Sequence, residues 1–228
     1  MDQGGDLSAV LRRRLPDVAA DTVEELEDGD AISLFRTHSS QPGGTVEAQE
    51  IEVKYRVIEQ DALLHALTGR GVSLSTAVRQ EDQAYAPRWW DYGKPKTGVP
   101  FGRLRTVQGR HLFTVKTPQD NEMACLEAET IVADAGQMHD ALLQMGFRPT
   151  VRIVKERRTG RAGRWSLCLD QVEGVGLFLE IETVTTADES GLAVQAELDA
   201  WATGLGVELE RVTDTYDSLV RLAQHHSA

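Results

Sequence analysis

Charged and apolar residues alternate along one short segment after another from Val46 onward. In Glu50-Ile51-Glu52-Val53-Lys54-Tyr55 the charges occupy one parity and the apolar groups the other. Side chains at i and i+2 share a face of a strand, so such a segment presents a charged side and an apolar side. On one strand this describes an ordinary solvated face. Here it recurs: Arg103 with Arg105, Thr114 with Lys116, Glu127 with Glu129, Lys155 with Arg157 and Glu180 with Glu182 share faces in the same way, and Asp170 is flanked by Leu167, Leu169 and Val172.

Turn residues between these runs place strands near 46–56, 76–86, 101–108, 111–117, 124–132, 149–158, 164–172 and 176–186. Apolar spacing of three and four residues predicts helices over 59–69, 134–145, 189–204 and 213–224, with Gly146 as a C-cap of the second. The fold class expected is α+β, a closed eight-stranded antiparallel β-barrel with helices packed outside. Closure removes the sheet edges, and the apolar faces, turned outward, give the amphipathic helices somewhere to pack. The charged faces then line a lumen wide enough for one ligand.

Three Glu-x-Glu pairs on sheet faces repel internally unless something offsets them. A cation is the simplest offset, and hard carboxylate oxygens select Mg²⁺ or Mn²⁺, commonly shared with substrate phosphates. The inward set comprises six bases, Lys54, Arg103, Arg105, Lys116, Lys155 and Arg157, and seven acids, Glu50, Glu52, Glu127, Glu129, Asp170, Glu180 and Glu182. A triphosphate of about −4 with two divalent cations leaves such an enclosed face near neutrality, as a low-dielectric interior requires.

The 228-residue length fits one ordinary domain with appendages. Residues 1–44 read as an acidic leader and linker, partly helical or disordered, and 45–228 as the barrel domain with its C-terminal helices. The first 32 residues carry nine acids and three bases, half of the net charge of −12. That balance opposes nucleic-acid and anionic-membrane partners. No apolar run reaches the roughly 20 residues that a bilayer span needs. The start Met1-Asp2-Gln3-Gly4-Gly5 lacks a basic then apolar leader, so a cytoplasmic location is expected. Cys125 and Cys168 are read as buried apolar thiols. The six histidines show no metal-ligand spacing.

These residues resemble a known family. Glu50-Ile51-Glu52-Val53-Lys54 is similar to the Glu-x-Glu-x-Lys signature of the CYTH, or triphosphate tunnel metalloenzyme, family. Arg103-Leu104-Arg105, Thr114-Val115-Lys116, Lys155-Glu156-Arg157 and the stretch Asp170 to Glu182 resemble its later strands in order. Gln80-Glu81-Asp82-Gln83-Ala84-Tyr85 and Thr215-Tyr216-Asp217-Ser218-Leu219 are similar to elements of the class IV adenylyl cyclase branch. The resemblance spans roughly 46–222. Cys125 is a departure, standing where the family often has arginine. The insert Pro87 to Lys96, with Trp89, Trp90 and Tyr92, leaves open a lid, a base-stacking platform or plain packing on a neighbouring element.

The resemblance implies an enzyme acting on a small-molecule triphosphate, ATP or tripolyphosphate, with Mg²⁺ or Mn²⁺ as cofactor. It implies metal ligands among Glu50, Glu52, Glu127, Glu129, Asp170, Glu180 and Glu182, and phosphate contacts from Lys54, Arg103, Arg105, Lys116, Lys155 and Arg157. Lys54, Arg105 and Lys116 are the expected catalytic groups. Cyclisation of ATP to cyclic AMP and pyrophosphate is the first reading; hydrolysis of tripolyphosphate, thiamine triphosphate or a nucleotide is the second, and a non-catalytic nucleotide or polyphosphate sensor the third. A homodimer is compatible with all three. The basic run Arg148 to Arg164 suggests RNA contact, against which stand the acidic total and the absence of interleaved aromatics before Trp165.

Overall fold

The computed structural model describes residues 48–186 and 189–226. The leader, the linker and the predicted helices within residues 1–44 lie outside them. In chain order the elements are β1 (Ala48–Val57), α1 (Gln60–Gly69), β2 (Val78–Pro87), β3 (Phe101–Val107), β4 (Arg110–Pro118), β5 (Ala124–Val132), α2 (Ala135–Gln144), β6 (Phe147–Ala162), β7 (Trp165–Val172), β8 (Gly176–Thr186), α3 (Gly191–Thr203), β9 (Leu209–Val212) and α4 (Tyr216–His226).

The strands pair antiparallel in the order β5-β4-β3-β2-β6-β7-β8-β1, and β1 pairs back onto β5, so β1 to β8 form a closed barrel. Closure is partial along β1. Gln49–Ile51 meet β5, whereas Lys54–Val57 meet β9, a ninth strand added where β5 has left that edge. Pairing there satisfies backbone groups that would otherwise be exposed at a sheet edge.

Local chemistry explains the punctuation. β3 turns into β4 through Gln108 and Gly109, both at positive φ (50° and 74°), the conformation of a two-residue hairpin turn whose twist matches the strands. Asp134 caps α2 by accepting from the Gln137 amide at 2.9 Å, and Ser190 caps α3 through the Ala193 amide at 3.4 Å.

The parity pattern then sorts the faces. Ile51, Val53, Tyr55 and Val57 point outward with Leu167, Leu169, Leu179 and Ile181, and α1 (Leu63, Leu67) and α3 (Val194, Leu198) cover them. Each fully buried aliphatic side chain there contributes about 1.5–3 kcal/mol. α2 buries Leu142 against Tyr85 and Leu104. The fourth helix differs. Tyr216 and Val220 of α4 pack on Val151, Ile153, Val172 and Phe178, which share the parity of Lys155, Asp170 and Glu180 and so belong to the inner face. α4 therefore closes one end of the barrel with an apolar plug.

Candidate active site

The thirteen residues expected to line the lumen sit on seven strands, and eleven of them fall into two ion-paired groups. Lys116 of β4 lies 2.5 Å from Glu50 Oε1 of β1 and 3.0 Å from Glu127 Oε2 of β5. Arg103 of β3 reaches Glu129 at 3.5 Å and Glu127 at 4.0 Å, and the Thr114 hydroxyl donates to Glu129 at 2.8 Å. On the other side Lys54 lies 3.4 Å from Glu52 and 3.3 Å from Glu180. Arg157 bridges Asp170 (2.7 and 2.5 Å) and Glu180 (2.5 Å), and Lys155 donates to Asp170 at 3.0 Å.

Glu50, Glu52 and Glu182 form the acidic centre, each offering an oxygen within 4.8 Å of the others. Three carboxylates this close, without a cation between them, repel; hard oxygen donors at this spacing fit Mg²⁺ or Mn²⁺. Burial, then Glu180, raises the Glu52 carboxyl above its ordinary value, against the opposing pull of Lys54. Asp170 and Glu180 sit deepest among the bases. Asp170 is fully buried with both oxygens taken by Arg157 and Lys155, and despite its burial those cations hold its carboxyl well below the usual range. Glu180 is lowered in spite of burial by Lys54 and Arg157.

Each buried polar side-chain atom found without a hydrogen-bond partner among the described residues faces this lumen or its closed end: Gln80 Oε1, Arg103 Nε, Glu127 Oε2 and Tyr216 Oη. Glu127 Oε2 is 3.0 Å from the Lys116 ammonium, an ion-pair contact that lacks hydrogen-bond direction. Burial, then the Glu50 carboxylate, pushes the Glu127 carboxyl up to about 8. Orphaned groups of this kind are uncommon in folded proteins, and four of them gather here.

Two lumen residues were not anticipated as site groups. Asp82 of β2 takes Arg105 in a bidentate pair, Nε and Nη2 each at 2.8 Å, which fixes the guanidinium plane. Burial opposes the Asp82 charge, but Arg105 outweighs it and holds the carboxyl low. Its signal lay in parity, since Asp82 shares a face with Gln80 and Ala84 while neighbouring Glu81 points out to Arg152. Tyr216 is the second; it came from the start of a helix, where strand parity carries no information.

Within the insert between β2 and β3 the two tryptophans differ. Trp90 is buried with Ala86, Val99, Tyr92 and Phe101 and donates to the Pro95 carbonyl at 3.1 Å, whereas Trp89 is 65% exposed. Lys96 fastens the insert to the β4–β5 connection through Glu122 (2.7 Å) and to the start of α4 through Thr215 (3.0 Å) and Ser218 (2.9 Å). Both thiols are free and buried, yet neither is in a purely apolar place. Cys168 stands among Arg157, Glu182, Asp170 and Glu180, and Cys125 near Lys116, Glu52 and Glu50.

The model of the CYTH domain matches residues 48–216, the barrel and the first residue of the helix that plugs it. The chain belongs to the CYTH family. Among curated CYTH relatives, adenylate cyclase CyaB of Aeromonas hydrophila is 28% identical over 176 residues, 75% of this chain and 87% of the relative. Among solved structures, PH1819 of Pyrococcus horikoshii superposes with a TM-score of 0.63 at 24% identity, over 77% of this chain and 99% of that one. HpAC1 of Hippeastrum, described as having a dominant triphosphatase activity, gives 0.52 at 20% identity over 75% and 95%. At those identities the two structures speak to the CYTH barrel alone. No helix among the described residues is long and apolar enough to cross a membrane.

Proposed function

We propose that this CYTH protein is a metal-dependent enzyme that takes a triphosphate into its barrel and, with ATP, forms cyclic AMP and pyrophosphate. The observation that carries the reading is the side-by-side placement of an acidic centre, Glu50, Glu52 and Glu182, and a cationic set, Lys54, Lys116, Lys155 and Arg157, in one enclosed lumen. Glu50, Glu52 and Glu182 would hold Mg²⁺ or Mn²⁺. When bound, the cation supplies charge neutralisation to phosphate oxygens and acidifies the attacking oxygen.

The remaining acids have a different assignment in this reading. Asp170 and Glu180 orient Lys155, Arg157 and Lys54, Asp82 orients Arg105, and Glu127 and Glu129 orient Lys116 and Arg103. Cations held in place by paired carboxylates need no reorganisation as charge develops, which is how preorganised sites lower barriers to phosphoryl transfer. In cyclisation the ribose 3′-hydroxyl gives up its proton to solvent as its oxygen bonds to the α-phosphorus, the bond from that phosphorus to the bridging oxygen breaks, and pyrophosphate leaves with the electron pair. Lys54, Arg105 and Lys116 would stabilise that departing charge.

Terminal-phosphate hydrolysis is the second reading, and one observation favours it: Trp90, one of the insert aromatics that could have stacked a base, is buried within its own insert. Incubation of purified protein with ATP or tripolyphosphate and Mg²⁺ or Mn²⁺, with separation of products, tests both. Cyclic AMP with pyrophosphate supports cyclisation and orthophosphate supports hydrolysis. Turnover of neither substrate overturns the enzymatic reading.

A further inference from the structure

Tyr216 opens α4, and its ring lies beneath two lumen ammonium groups, 4.3 Å from Lys54 Nζ and 4.8 Å from Lys155 Nζ, edge-on to Phe178 at 5.4 Å. The residue is 8% exposed. Its ring therefore belongs to the plug, while its hydroxyl lies within the field of Asp170, Glu180, Arg157 and Glu52. That hydroxyl has no hydrogen-bond partner among the described residues. Nearly complete burial of an unpaired hydroxyl is unfavourable, and such a group in a folded protein calls for a reason.

The chemistry of the surroundings selects the missing partner. Burial, then the carboxylates of Asp170 and Glu180, raises the phenol well above its ordinary value, so it is a donor and not a base. The nearest carboxylates are already engaged: Asp170 by Lys155 and Arg157, Glu180 by Lys54 and Arg157. What belongs beside Lys54, Lys155, Arg157 and a free O–H is an anionic oxygen.

We infer that the Tyr216 hydroxyl donates a hydrogen bond to a phosphate oxygen of the bound triphosphate, so that Tyr216 forms the end-stop that sets how deep the phosphate chain enters the barrel. The inference rests on the triphosphate reading above and adds a substrate contact to it. Because the contact is to phosphate, it serves ATP and tripolyphosphate alike.

Tyr216→Phe is the test, since it keeps the ring, the cation–π contacts and the plug and removes only the oxygen. Thermal midpoints without ligand, calorimetric binding of tripolyphosphate with Mg²⁺, and kcat and KM on ATP and tripolyphosphate are compared with the parent protein. The expected result is an unliganded midpoint equal to or above the parent's, with tripolyphosphate affinity weakened about 10- to 100-fold, the scale of a hydrogen bond to a charged group. Equal affinity and equal kcat/KM overturn the end-stop, and so does a lowered midpoint with unchanged affinity; in both cases the triphosphate reading stands, because the parent binds. If the parent itself binds neither tripolyphosphate nor ATP, both fall together.

Discussion

Lys116 Nζ stands 2.5 Å from Glu50 Oε1, although the two residues are 66 positions apart and β5 runs between their strands. The contact crosses β5 and so puts both side chains on the same face of the sheet, while the pairing of β1 with β5 closes it. Burial opposes the Lys116 charge, but Glu127 and Glu50 outweigh it and raise the ammonium well above its ordinary value. The lysine stays charged throughout the physiological range, as a phosphate-binding group must.

Replacing that cation isolates its role. Lys116→Ala should lower kcat on the preferred triphosphate by about 10²–10³, the scale for loss of one preorganised electrostatic donor. Steady-state kinetics at saturating Mg²⁺ measure it, and a change confined to KM would reduce Lys116 to a uniform binding contact.

The acidic centre should show itself as a metal requirement. Chelation with EDTA is expected to abolish turnover, and Mn²⁺ or Mg²⁺ to restore it. Glu182→Gln should raise the concentration of Mn²⁺ giving half-maximal activity by at least about 10-fold, the scale already seen when groups that merely support a ligand are removed. A metal titration of initial rates distinguishes this from a fall in the maximum alone.

Asp82 is a stability residue as well as an orienting one. Asp82→Ala leaves the Arg105 guanidinium buried without its partner, and removing one member of a buried pair costs about 3–5 kcal/mol. Denaturant unfolding monitored by tryptophan fluorescence should show the loss. An unchanged midpoint would mean that water reaches Arg105 freely.

Whether the sequence alone reveals a residue's place depends on what fixes that place. Strand parity alone turned Glu50, Glu52, Lys54, Lys116, Lys155, Arg157, Glu180 and Glu182 inward, because alternation is a local property of extended chain. The strands and helices fell within a few residues of their observed bounds for the same reason, the periods being 2 and 3.6. β9 was missed: Leu209–Val212 is four residues long, and it forms because β1 has a free edge where β5 ends, a tertiary circumstance. Parity also could not divide the acids. Asp170 differs from Glu182 in having two cations on its oxygens, and that depends on which strands are neighbours. Nor could it show that α4 crosses the end of the barrel and brings Tyr216 beneath Lys54 and Lys155.

Opposite pH trends are expected from two lumen acids. Glu127, raised from 4.5 to about 8, holds a proton in the folded protein that the unfolded chain releases. Its contribution to stability is therefore complete below pH 4.5 and is lost as pH rises through about 8. Asp170, lowered from 3.8, contributes fully above pH 3.8 and loses that contribution as pH falls through its folded value. Thermal midpoints measured from pH 3 to 9 should rise and then decline by these contributions, and Glu127→Gln should flatten the decline between 4.5 and 8. A variant whose profile matched the parent's would remove Glu127 from the explanation.

A crystal grown with Mn²⁺ and a non-hydrolysable ATP analogue puts the shared lumen to the hardest trial. Anomalous scattering should place Mn²⁺ among Glu50, Glu52 and Glu182, with phosphate oxygens in hydrogen-bond reach of Lys54, Lys116 and Arg157. Manganese elsewhere, or a nucleotide bound on the outer wall with the lumen free of phosphate, would contradict it.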